Sequence, residues 1–282
     1  MNRADYREQI DAACRLLEAR LAEDVPLEEV AAAAYLSPFH FHRLFRGLTG
    51  ETVGAYVRRL RLERAAHRLT QSDDDILVIA LDVGYGSHEA FSRAFQRQFG
   101  TNPSVFRKEK IAMTTTSTTI TNEPINVRIE TRPACTVAAV RHVGPYNDVG
   151  DAWGTLMKWG WTKMMFGNPE TFGLCYDDPD VTPAEKLRYD ACMVVKPGTK
   201  VKDGIQLFEL PAGTFAVTAH HGTYDSLGNT YGRLFGHIAQ HKIDGRQYQL
   251  GDPPSREVYM NDPRKTKPED LVTEIWMPVT AA

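Results

Sequence analysis

Cysteine is scarce in this sequence and never closely paired. Cys14, Cys135, Cys175 and Cys192 are scattered, with no Cys-x-x-Cys among them. They read as four reduced, buried thiols of a cytosolic protein. Long apolar runs are missing too. No stretch approaches the roughly 18 apolar residues that span a bilayer, and the opening MNRADYREQI has no apolar signal core. A soluble cytoplasmic protein with no membrane partner is expected. Nor is there an excess of one charge. The net of −3 argues neither for nor against nucleic acid. What is present, 282 residues with 42% apolar content, suffices for about two domains.

SPFHFHRLF (37–45) holds the one motif that suggests a metal, His-x-His. Ser37-Pro38 reads as an N-cap and first helical position, and Phe41, Leu44 and Phe45 keep helical spacing. On a helix His40 and His42 lie about 200° apart and cannot chelate one ion. No metal and no cofactor is expected. Fifty residues later the chain reads SHEAFSRAF (87–95). Ser37, Phe41, Arg43 and Phe45 recur as Ser87, Phe91, Arg93 and Phe95, and Tyr35 recurs as Tyr85. A cap, an aromatic core face and an outward arginine repeat, while the outward face varies. Two copies of one reading head differ in this way.

The surrounding pattern is helical. Residues 5–22 place Ile10, Ala13, Cys14, Leu17 and Leu21 on one side. A short helix after Pro26, a turn at Tyr35-Leu36 and the helix from Ser37 form a helix-turn-helix outline. Residues 52–69 form a longer helix, 76–83 a short one, and Ser87 opens the second reading helix. A last short helix starts at 102–107. Charge is local: residues 43–68 hold seven arginines against two acids, and 91–110 five basic groups against one. Phosphate binding follows such local patterns. The alternative is that arginines pair along the helix, as Arg59 with Glu63. A connecting helix of roughly 27 Å suits two heads aimed at grooves about 34 Å apart. Residues 111–124, IAMTTTSTTITNEP, read as a linker.

LSPFHFHRLFRGLTGETVGAYVRRLRLERA and ILVIALDVGYGSHEAFSRAFQRQFGTNPSVFRK carry a resemblance to the AraC/XylS family of transcription regulators over about 5–110. The resemblance implies that both reading helices enter adjacent major grooves of double-stranded DNA. Its base-edge candidates are Phe39, His42 and Arg43, then His88, Glu89, Ser92 and Arg93. Arg46 and Gln96 lie nearby for phosphates. Arginine forks to guanine and glutamate accepts from cytosine; Phe39 reads either as a thymine-methyl contact or as core.

A second repeat follows. RPACTVAAVRHVGPY (132–146) returns as LPAGTFAVTAHHGTY (210–224), and the ends of the halves match at an offset of 84, Asp190 with Glu274 among them. Each half reads strand, Gly turn, helix, strand, strand, which predicts an α+β domain with pseudo-two-fold symmetry. The duplicated His142 and His220 read as structural. In LVTEIWMPV (271–279), alternation puts Val272, Glu274 and Trp276 on one strand face. A carboxylate there either faces water or awaits a cation.

RHVGPY, LRYDACMVV, LPAGTFAVTAHHGTY and LVTEIWMPV together resemble the GyrI-like, or multidrug-binding, effector domain over about 126–279. That resemblance implies a cleft between the halves for aromatic, often cationic molecules, with Glu274 as acidic contact. Tyr146, Tyr224, Trp276 and Asp190 complete the candidate ligand set. A helix-turn-helix domain (1–110), a linker (111–124) and a GyrI-like domain (125–282) follow the order of the Rob-type regulators. The expectation is a non-enzymatic, DNA-binding regulator with a small-molecule effector and RNA polymerase as a further partner. Two alternatives stand: a ring-opening hydrolase using Glu274 with Tyr146 or Tyr224, and a protein-binding module.

Overall fold

The computed structural model describes residues 3–116 and 125–281, apart from 166, 168, 180 and 203. The chain forms two compact units, Met1–Ser117 and Thr118–Ala282.

The first unit is helical. Its elements are α1 (Arg3–Ala19), α2 (Leu27–Ala33), α3 (Pro38–Thr49), α4 (Val53–Gln71), α5 (Ile76–Asp82), α6 (His88–Phe99) and α7 (Pro103–Thr116). Ile10, Ala13, Cys14, Leu17 and Leu21 are all buried, as the spacing predicts, in a core with Phe41, Phe45 and Tyr56. The second copy packs the same way: Phe95 lies among Phe91, Phe99 and Phe106 at centroid distances of 4.6–5.5 Å. α4, 19 residues long and so about 28 Å, touches both α3 and α6 and is their common support. Gly50 and Gly100 end the two reading helices with φ of 75° and 74°, the left-handed close that glycine adopts without strain.

The two copies differ at their turns, and this corrects the pairing of Tyr35 with Tyr85. The Tyr35 N–H reaches back to Ala32 and the Gly84 N–H to Leu81; the Leu36 N–H bonds Ala31 and the Tyr85 N–H bonds Ala80. Tyr35 therefore stands where Gly84 stands, both with positive φ (54° and 86°). The second turn is one residue longer, so the offset is 49 before it and 50 after it. Ser87 caps α6 through its hydroxyl on the Ala90 N–H, whereas Ser37 makes no side-chain cap. The final helix is also longer than its sequence suggests. α7 runs through 111–116, the start of the expected linker; residues 117–124 lie outside the described residues.

The second unit is a sheet with two helices on one face. Its elements are β1 (Arg128–Arg132), β2 (Cys135–Val143), α8 (Gly150–Met165), β3 (Thr171–Cys175), β4 (Arg188–Val195), β5 (Gln206–Leu210), β6 (Gly213–His221), α9 (Leu227–Gln240), β7 (Tyr248–Leu250), β8 (Ser255–Tyr259) and β9 (Val272–Ala281). The order is β1-β6-β9-β8-β3-β4-β2-β5, with β7 on β9 and every pairing antiparallel. The predicted half-repeat is present, but each half opens with a further strand, β1 and β5. RIETR and QLFEL are too charged or too short to show as strands by alternation alone. Each opening strand pairs with the other half: β1 on β6 and β5 on β2. The pseudo-two-fold passes between β3 and β8.

Alternation divides the sheet residues. Ala138, Tyr189, Ala191 and Met193 pack under α8, and Ala216, Ile275 and Met277 under α9. Val137, Phe172, Leu174 and Cys192, then Phe215, Val217 and Trp276, form clusters on the opposite face that no helix residue joins. The duplicated histidines close the Gly turns: His142 Nε2 lies 3.0 Å from the Pro145 carbonyl and His220 Nε2 3.0 Å from that of Thr223. No helix among the described residues is long and apolar enough to cross a membrane.

Candidate functional sites

In the first unit the reading face is built on α3 and α6. Burial of Phe41 and Phe45 turns the opposite side of α3 outward. Phe39, His42, Arg43 and Arg46 are all exposed. Phe39 is 73% exposed, so it is not a core residue, and the Arg43 guanidinium lies 5.8 Å from its ring centroid. On α6, His88, Glu89, Arg93 and Gln96 are exposed. The Glu89 carboxyl is held below its ordinary pKa by a backbone hydrogen bond and then by the Ser87 hydroxyl, which keeps it an acceptor. Ser92 departs from expectation: its Oγ is buried without a hydrogen-bond partner. It lines a hollow of about 300 Å³ with Ile76, His88, Asn102, Pro103 and Ser104. The approach of the α7 start turns that position inward.

The local arginine excess is partly structural. Arg59 is buried between Glu51 (2.8 Å) and Glu63 (3.0 Å), so it does not face phosphate. Arg61 donates to the Leu21, Glu23 and Gly84 carbonyls, tying α4 to the α1–α2 connection and to the second turn. Arg68 holds Asp74 and Asp82, and Arg107 donates to the Leu69 and Asp74 carbonyls. Arg43, Arg46, Arg58, Arg93 and Arg97 remain exposed.

In the second unit three acids lie on the inner strands of the sheet, and two are already paired. The Asp190 carboxylate is fully buried and accepts from Arg141 Nε (2.8 Å) and the Tyr176 hydroxyl (2.7 Å). Glu274 accepts from Arg128 (2.8 Å) and from Trp276 Nε1 (3.0 Å). It therefore does not await a cation, which corrects the expectation from LVTEIWMPV. Glu274 and Trp276 do share a face, but it is the face away from the helices. Tyr146 and Tyr224 pack on the helix side. The predicted ligand set is thus divided by the sheet, and so is the hydrolase constellation of Glu274 with either tyrosine.

The third acid is Glu257, which the sequence reading missed. β8 reads SREVY, and alternation puts Ser255, Glu257 and Tyr259 on the helix side. Glu257 is 8% exposed. One oxygen accepts from the Tyr231 hydroxyl (3.1 Å) and the other from the Tyr259 hydroxyl (2.8 Å). Because Tyr259 spends its proton on Glu257, its oxygen must accept from Tyr189 (2.9 Å). Tyr189 accepts in turn from Trp153 Nε1 (2.9 Å). Three donors in series point at one carboxylate, each polarising the next. Trp153 and Tyr224 set their rings edge-on to Tyr259 at 5.6 and 5.7 Å, and Tyr146 lies 6.1 Å from Tyr189. Trp153 on α8 and Tyr231 on α9, at matching positions of the two halves, are members of this cluster.

Burial, and then Glu257, push the Tyr189, Tyr231 and Tyr259 phenols well above their ordinary pKa. They stay neutral donors. The buried Cys175 thiol is pushed up for the same reasons. Among the described residues no arginine, lysine or histidine reaches Glu257. None of their His, Cys, Asp and Glu form a group of three or more able to hold a metal ion.

The family described as the GyrI-like small molecule binding domain matches residues 125–280, more than half of the chain. The chain belongs to that family. A helix-turn-helix domain family matches residues 30–109. Among curated relatives, the Right origin-binding protein of Escherichia coli is 39% identical over 92 residues, 33% of this chain and 32% of that protein. The HTH-type transcriptional regulator Rv1931c of Mycobacterium tuberculosis is 40% identical over 80 residues, 28% of this chain and 31% of that protein. The chain spans about a third of the length of the curated relatives it matches. Among solved structures, EcmrR in complex with DNA is 17% identical, with a TM-score of 0.46, over 91% of this chain and 99% of that one. In this GyrI-like chain the helix-turn-helix unit precedes the small-molecule unit.

Proposed function

We propose that this chain is a one-component transcription regulator. α3 and α6 read adjacent major grooves, and the GyrI-like unit senses a small molecule without turning it over. Phe39, His42, Arg43, His88, Glu89 and Arg93 are the base-edge residues of this reading, with Arg46, Arg58 and Gln96 on phosphates. RNA polymerase is its downstream partner and the cytoplasm its place.

The effector is a flat, aromatic cation held at Glu257. One observation carries this: of the three acids on the sheet's inner strands, Glu257 alone has no cation among the described residues, although it is buried. A buried carboxylate of this kind is costly unless phenol donors or an incoming charge compensate it. The surrounding Trp153, Tyr189, Tyr224 and Tyr259 rings supply the π faces that a cation favours. The test is binding of a cationic aromatic dye and its neutral isostere, followed by tryptophan emission. Glu257→Gln should weaken the cation at least tenfold and the isostere little. Equal affinity for the dye in both proteins would sink the reading, and product formation would replace a sensor by an enzyme.

A further inference from the structure

The sheet face without helices holds a cation with no hydrogen-bond acceptor among the described residues. Arg256 is 6% exposed. Its guanidinium sits between two rings, 4.5 Å from the Phe215 centroid and 5.1 Å from that of Phe172. Among the described residues nothing accepts a hydrogen bond from it. Its neighbours are treated differently: Arg141 has Asp190, Arg188 has Asp177, and Arg128 has Glu130 and Glu274. Arg132 is the second exception. Its Nε is buried and unpartnered, and its nearest carboxylate, Glu170, stands at 4.0 Å. Its guanidinium lies 4.5 Å from the Trp276 centroid, and Trp276 packs edge-on to Phe215 at 5.9 Å.

These rings cover only the faces of the guanidinium groups. Cation–π contact compensates part of the desolvation. The five N–H donors of an arginine lie in its plane; those of Arg256 and the Nε of Arg132 make no hydrogen bond among the described residues. An oxyanion arriving in that plane is their natural complement, because the fork matches a carboxylate. Burial holds the Arg256 pKa below its ordinary value, with Glu170 acting against this and repulsion from Arg132 a lesser contribution. The two cations thus sense one another across the aromatic pair. The Arg132 side chain is 39% exposed and forms the way in.

We propose that this helix-free face binds a small aromatic carboxylate, its charge forked by Arg256 and Arg132 and its ring entering at the rim, where the Arg132 guanidinium now covers the buried Trp276 ring. The site lies across the sheet from Glu257 and selects the opposite charge. Arg128 holds Glu274 and Glu130, and the one carboxylate the ligand displaces is Glu170, 4.0 Å from Arg132.

Titration calorimetry on the full chain tests this with benzoate, neutral benzamide and inorganic phosphate. Benzoate should bind saturably and at least tenfold tighter than the other two. Arg132→Gln and Arg256→Met should each weaken it at least tenfold, while Glu257→Gln leaves it within twofold. Arg256→Met should also melt higher than wild type, since an unpaired buried charge is replaced by an apolar chain. Should that variant fail to fold, Arg132→Gln at the rim decides. No saturable benzoate binding, equal binding of benzamide, or dependence on Glu257 overturns the proposal. Phosphate binding as tightly as benzoate overturns its aromatic half.

Discussion

Gly173 faces Glu257 across the central strand pair, and the Tyr189 hydroxyl fills the space that a side chain at 173 would need. The pseudo-two-fold thus puts a carboxylate on one side of its axis and nothing on the other. Gly173→Ala should displace Tyr189, break the donor series and destabilise the unit by about 1–3 kcal/mol, as overpacking does. Thermal melts should record the loss, and cationic dye affinity should fall with it.

Glu274→Gln is the counterpart of Glu257→Gln on the other face. Its expected cost is stability, about 1 kcal/mol for a hydrogen bond to a charged partner near the surface. Dye affinity should stay within twofold of wild type. A large affinity loss with unchanged melting would return the cation site to Glu274.

The arginines of the first unit should separate by role. Arg43→Ala and Arg93→Ala should each relax base preference at one part of the operator by roughly 1–3 kcal/mol. Arg58→Ala should weaken all sequences alike and reduce the salt dependence. Arg59→Ala should instead lower the melting temperature, because it removes the buried ion pairs to Glu51 and Glu63. Binding-site selection with purified variants, paired with melts, distinguishes the three outcomes.

Tyr35 adopts a left-handed backbone with its side chain 89% exposed. A non-glycine residue there costs about 1–2 kcal/mol, and no buried packing offsets it. Tyr35→Gly should therefore raise the melting temperature of the first unit. If Tyr35 touches DNA, affinity will drop while stability rises.

Alkali should unfold the second unit. The Tyr146, Tyr189, Tyr231 and Tyr259 phenols have raised pKa values, chiefly through burial. An unfolded tyrosine ionises near pH 10. Below that pH both states hold their protons and stability is full. Above it the unfolded chain loses protons that the folded chain retains, so stability falls as pH rises. Ultraviolet titration should show part of the eleven tyrosines ionising only as the protein unfolds.

The sequence made the repeated features legible. Helical spacing located α1, α3, α4 and α6, and the outward residues of both reading helices follow from the buried Phe41, Phe45, Phe91 and Phe95. The one-residue difference between the turns was hidden, because Tyr35 and Tyr85 align by letter while backbone geometry pairs Tyr35 with Gly84. Ser92 was hidden because the hollow it lines is shared with residues of α5 and of the segment entering α7, which helical spacing on α6 does not show. Glu257 escaped for a different reason. Attention to matched positions favoured Asp190 and Glu274, whose arginine partners lie on other strands and leave no local trace. The acid without a partner sits opposite a glycine, so duplication argues against it. Its one local signal was the alternation of Ser255, Glu257 and Tyr259.

The exchange of opening strands has a consequence for how such a fold can arise. β1 completes the sheet of the second half and β5 that of the first, so neither half alone holds all the strands it needs. A chain encoding a single half would expose the bare edge of its β2 or β6 equivalent, and a second copy could cover it by lending its own first strand. A single half is therefore complete only as one of an interlocked pair, and carrying both halves on one chain leaves each free to differ. Once joined, one half can keep a glycine at the axis while the other carries a carboxylate.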